Sequence, residues 1–83
     1  MNEEKSPDGQ VVRVRRIMVA AQVELGQAGA AEVSYDRERD VVVATLFGTE
    51  LARLGPREWD MNDDELKIMI VEAMIEELGD HRR

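Results

Sequence analysis

The chain contains no cysteine, so disulfides, thiolate metal sites and thiol nucleophiles are all excluded. Histidine occurs once, as His81 beside Arg82 and Arg83, with no second imidazole anywhere in the sequence, which argues against general-base chemistry. Aromatic residues are limited to Tyr35, Phe47 and Trp59, so any core must be mainly aliphatic. No glycine-rich phosphate loop, nucleophile elbow or metal-spaced histidine pair is present. No apolar run approaches the roughly 20 residues that cross a bilayer, and the opening residues lack the pattern of a signal peptide. These absences predict a soluble, cytoplasmic protein that is not an enzyme, with no catalytic residue, cofactor, metal or membrane segment.

What the sequence has in excess is acid. The net charge is −7, and it is uneven: residues 1–30 sum to zero, residues 31–60 supply −3 and residues 61–83 supply −4. Binding to phosphate backbones needs a basic surface, so direct nucleic-acid binding is not expected. Arg13, Arg15 and Arg16 are the one dense basic group. On a helix they point in different directions, which reads as a solvated face or as pairing with the acidic surface of a second copy. Asp60, Asp63, Asp64 and Glu65 lack both the spacing and the glycine of a calcium loop, and helix capping accounts for them.

The best-marked element is the run from Asn62 to Leu78. Asn62 is a good N-cap, Glu65 completes a capping box, and Asp63 and Asp64 place negative charge at the positive end of the helix dipole. Gly79 is the expected stop. Leu66, Met69, Ile70, Ala73 and Met74 share one arc, while Ile68, Val71 and Ile75 continue the apolar surface on the far side. Only a narrow strip of Glu65, Glu72 and Glu76 separates them, so the helix should be covered on two sides.

Upstream, residues 1–9 read as a disordered tail, with a helix start near Asp8. From Gln10 to Leu25, Val11, Val14, Ile17, Met18, Ala21 and Leu25 share one arc, and Gly26 follows as a C-cap; a strand over residues 10–19 is the competing reading. Val12, Val19 and Val23 then form a second stripe on the outer side. Three short strands follow: Ala31 to Tyr35, Val41 to Phe47 and Glu50 to Leu54. A hairpin loop at Gly48-Thr49 pairs Phe47 with Glu50, and Tyr35 pairs with Val41. In that register Val41 and Val43 face the helices, and Val42, Ala44, Leu46 and Leu51 form an apolar outer face. Trp59, in the connection to the last helix, reads as a plug over the core edge.

The assembled order is α-β-β-β-α, an α+β domain over residues 10–79 with a three-stranded antiparallel sheet, two helices on one face and a frayed tail at 80–83. This order resembles the double-stranded-RNA-binding domain over residues 10 to 79. The family holds phosphates with a basic cluster at the start of its second helix, where this chain has Asp63, Asp64 and Glu65 with only Lys67 nearby. The resemblance therefore implies the fold and carries over no binding residue.

Two functions follow as expectations. The first is a small acidic protein-interaction module acting by binding, as a homodimer, anchored by Val42, Leu46 and Leu51 on the sheet or by Ile68, Val71 and Ile75 on the helix. The second is a nucleic-acid mimic that resembles phage anti-CRISPR inhibitors in size and charge. Asp63, Asp64, Glu65, Glu72 and Glu76 would then face a partner with a basic surface.

Overall fold

A computed structural model describes residues 6–27 and 29–81, the last two by backbone alone. Helix α1 (Pro7–Leu25) leads into strands β1 (Ala31–Asp36), β2 (Val41–Leu46) and β3 (Thr49–Leu54). A single 3-10 turn at Glu58–Asp60 then precedes helix α2 (Asp63–His81). The strands form one antiparallel sheet in the order β1-β2-β3, and both helices pack on it, giving the expected α+β architecture.

Helix α1 confirms the helical reading of residues 10–25 and begins earlier than Asp8. The Ser6 hydroxyl accepts a hydrogen bond from the Gly9 amide at 3.0 Å, and Pro7 fills the first helical position, where no amide hydrogen is needed. Residues 6–9 are thus a cap and a first helical turn, not tail; residues 1–5 lie outside the described segment. At the other end Gly26 takes the left-handed conformation, φ 62°, and the amides of Gly26 and Gln27 return to the carbonyls of Val23 and Gln22. Gln10, Arg13, Val14, Ile17, Met18 and Ala21 are buried, at helical spacing.

Helix α2 is capped by Asn62 as predicted, with Glu65 reaching back to the Asn62 side chain. The Glu65 backbone amide donates to Asn62 Oδ1 at 2.8 Å, and the Asn62 side-chain Nδ2 donates to Glu65 Oε1 at 3.1 Å. Gly79 does not stop the helix, which runs on to His81, so backbone positions 80 and 81 are helical and not a frayed tail. Positive φ is confined to Gly26, Asp40, Phe47 and Gly48 among the described residues. Residues 82 and 83 lie outside the described segment.

The sheet differs from expectation by one residue in β2, and that shift turns every β2 side chain to the other face. Tyr35 pairs with Val42, not with Val41, and Leu46 pairs with Thr49 across a two-residue loop of Phe47-Gly48. Both loop residues have positive φ, 54° and 78°, the geometry of a type I′ turn, for which asparagine or glycine is the usual first residue. Phe47 gives no such signal. Val42, Ala44 and Leu46 are consequently fully buried under the helices. A bulge beside Ala44/Thr45 keeps Ala52 and Leu54 inward and leaves Leu51 half-buried against the core. The outer face carries Val41, Val43 and Thr45, half-buried and framed by Glu32, Ser34, Glu50 and Arg53. It is not the apolar face that the sequence suggested.

The core joins Val14, Ile17, Met18 and Ala21 from α1, Val33, Val42, Ala44, Leu46, Ala52 and Leu54 from the sheet, and Leu66, Ile70 and Met74 from α2. Trp59 packs on its edge as expected, with its indole N–H donating to the Leu54 carbonyl at 3.0 Å. The four-residue β1–β2 connection is shaped by Asp36, whose carboxylate accepts from the amides of Glu38 and Arg39. Across it the Tyr35 hydroxyl donates to Asp40, and that hydrogen bond raises the phenol's pKa above its ordinary value.

Candidate protein interface

The inverted register relocates the exposed apolar surface. Five aliphatic side chains on the helices are more than half exposed: Val12 (58%), Val19 (54%) and Val23 (77%) on α1, and Ile68 (59%) and Ile75 (54%) on α2. At 100° per residue the α1 trio lies opposite the buried arc of Val14, Ile17 and Ala21. Ile68 and Ile75 likewise lie opposite Leu66 and Ile70. The helix layer therefore carries large aliphatic side chains on both its sides. Phe47, the remaining large exposed side chain, sits apart at the β2–β3 loop near Gly29.

One group stabilises the inner edge of this layer. Arg13 is only 6% exposed, and its guanidinium meets four acceptors: Asp63 at 2.6 Å from Nε, Gln10 and the Trp59 carbonyl at 3.1 Å each from Nη1, and the Met61 carbonyl from Nη2. The planar fork suits this arrangement, because it presents donors in several fixed directions at once. Arg13 thus ties α1 to the connection that precedes α2, and it is neither a solvated charge nor free for a second copy. Arg16 is mostly exposed and reaches Asp63 at 3.8 Å, while Arg15 lies over β1, 3.5 Å from the Val33 carbonyl.

Beside Ile68 an open cleft of about 520 Å³ runs between the helices, lined by Glu24, Asp64, Lys67, Ile68, Val71 and Glu72. Lys67 pairs with Glu24 at 3.6 Å, which leaves Asp64 and Glu72 as excess negative charge on its rim. A smaller, more polar groove is lined by Glu50, Leu51, Ala73, Glu76 and Glu77, where β3 meets α2.

The residues expected to form an interface divide accordingly. Val42 and Leu46 are corrected to core positions, with no surface to offer a partner. Leu51 is half-covered by its own chain, Val71 is half-buried at the cleft, and Ile68 and Ile75 stand outward. Of the acids, Asp63 is held by Arg13 and Glu65 caps α2, while Asp64 and Glu72 border the cleft and Glu76 the smaller groove. Among the described residues no three acidic or imidazole groups converge to hold a metal ion, and no helix is long and apolar enough to cross a membrane. The structural role of Arg13 left no local trace in the sequence. The outer valines did, as a second stripe at helical spacing.

No family model, curated protein or solved structure matches the chain. The likeness to the double-stranded-RNA-binding domain therefore rests on element order alone.

Proposed function

We propose that the protein acts by binding rather than by catalysis, as a small acidic protein-interaction module that forms a homodimer through the outer surface of its helix layer. The observation that carries this reading is the set of five half-exposed aliphatic side chains, Val12, Val19, Val23, Ile68 and Ile75. Each is worth roughly 1.5 to 3 kcal/mol on full burial, so covering even part of the set drives association. The sheet's outer face, with charged or hydroxyl side chains around Val41 and Val43, is a poorer candidate. Wild-type protein should sediment as a dimer at micromolar concentration. The double variant Val19→Glu, Ile75→Glu should be a monomer with an unchanged circular dichroism spectrum, because neither position is in the core. A wild-type monomer would overturn the self-association.

A second reading has its own support. Glu65, Glu72 and Glu76 are exposed on one strip of α2, with Asp64 exposed beside it, so one helix displays carboxylates that resemble nucleic-acid charge. On this reading a basic nucleic-acid-handling complex binds the wild type and releases it to competing DNA. The variant Glu65→Lys, Glu72→Lys, Glu76→Lys should lose that binding while remaining folded. Retained binding would remove the mimicry.

A further inference from the structure

We infer that the partner seated on the helix layer is a second copy of this chain, related by a two-fold axis running along the helices. Helix α1 of each copy then lies on α2 of the other, and Arg16 enters the cleft beside Asp64 and Glu72. This deepens the reading of the protein as an association module and rests on it.

Four observations favour this occupant. The outer stripe of α1 holds Val12, Arg16, Val19 and Val23, and that of α2 holds Asp64, Ile68, the half-buried Val71 and Ile75; both follow the same spacing of four, three and four residues. That is the spacing of a coiled-coil seam. Each seam is aliphatic except for one charged residue, and the two charges are opposite in sign. A surface carrying both seams side by side is complementary to itself under a two-fold rotation.

The second observation concerns position along the helices. Arg13 and Arg16 reach Asp63, and Glu24, further along α1, reaches Lys67, further along α2, so the two helices run in the same sense. Arg16 is therefore level with the first turn of α2. Rotation about an axis parallel to the helices preserves that level, so Arg16 arrives over the first turn of the second copy's α2, where Asp64 stands.

Third, the cleft there suits an arginine. Ile68 and Val71 offer apolar surface to its methylene stem, and Asp64 and Glu72 offer carboxylates to its guanidinium, while Lys67 is already paired with Glu24. Arg16 is available for this because its own ion pair to Asp63 is long and largely exposed. Fourth, the size is adequate. Two 19-residue helices side by side form a face about 28 Å long and roughly 20 Å wide. With side-chain relief this is comparable to the surface of about 800 Å² per partner that a stable dimer buries.

The test is sedimentation equilibrium on Arg16→Glu, on Asp64→Arg and on an equimolar mixture of the two. Each variant alone places like charges in both contacts and should weaken the dimer about tenfold or more. In the mixture a mixed dimer has one native contact and one with the charges exchanged, so association should return to near the wild-type level. A partner of another kind would not be restored by mixing. If Asp64→Arg disturbs the helix start, as circular dichroism would show, Glu72→Arg replaces it in the mixture. Singles that associate like wild type, or a mixture no tighter than its components, would overturn this pairing. A wild-type dimer that is broken by Val19→Glu, Ile75→Glu but indifferent to the charge variants would overturn the pairing and leave the association reading standing. A wild-type monomer would overturn both.

Discussion

Replacing Arg13 by methionine should lower the unfolding free energy by about 3 to 5 kcal/mol, although no sequence pattern marks this arginine as structural. The side chain is almost completely buried, and its removal strands the Gln10 side-chain oxygen and the carbonyls of Trp59 and Met61 while leaving Asp63 without its closest cation. Buried acceptors without donors cost about 1 to 3 kcal/mol each where water cannot reach them, and partial exposure of Asp63 moderates its share. A domain of this length has only about 4 to 12 kcal/mol to lose. Arg13→Lys should recover less than half of the deficit, because an ammonium keeps the charge but cannot span acceptors lying in separate directions. Urea unfolding measures both. A loss below about 1 kcal/mol for the methionine variant would mean that α1 and the connection before α2 are held by other contacts.

Leu46→Glu should abolish folding. Leu46 is fully buried between the sheet and the helices, and no cation among the core residues is there to receive a carboxylate. An unpaired charge in such a place is unfavourable by more than the whole stability of a small domain, and even truncation to alanine costs about 2 to 5 kcal/mol. Ile75→Glu, at a position 54% exposed, should by contrast leave the circular dichroism spectrum unchanged, with a thermal transition close to that of wild type diluted until it is monomeric. The pair of variants separates the two registers of β2. Were Val42 and Leu46 on the outer face, Leu46→Glu would be a folded protein and its effect would be confined to association.

The order of the elements and the identity of the core helices are legible in the residues, because periodicity and capping act locally. Gly26, Asn62 and Glu65 mark ends that the backbone follows, and Val14, Ile17, Leu66 and Ile70 are buried as their spacing requires. The facing of β2 is not legible in the same way. Val41 to Leu46 is apolar at nearly every position, so alternation carries no information about which side is inward. The decision falls to a turn at Phe47-Gly48, whose first residue adopts a positive φ of 54° without the usual asparagine or glycine, and to a bulge that has no sequence mark. A loop read at Gly48-Thr49 in place of Phe47-Gly48 is what puts Val42 and Leu46 on the outer face, whereas both are core residues. The outward aliphatic side of α2, with Ile68 and Ile75 exposed, is legible from the narrowness of its polar strip. The exposed stripe of α1, Val12, Val19 and Val23, is legible in the same way, from its helical spacing.

The most direct measurement is solvent paramagnetic relaxation of assigned methyl groups, with a neutral soluble spin label, in dilute and in concentrated protein. A homodimer through the helix layer requires that the methyls of Val12, Val19, Val23, Ile68 and Ile75 broaden strongly when dilute and become protected when concentrated, while Val42 and Leu46 are protected throughout and Val41 and Val43 do not change. Broadened Val42 and Leu46 methyls in dilute protein, with protection on concentration confined to the sheet, would contradict it.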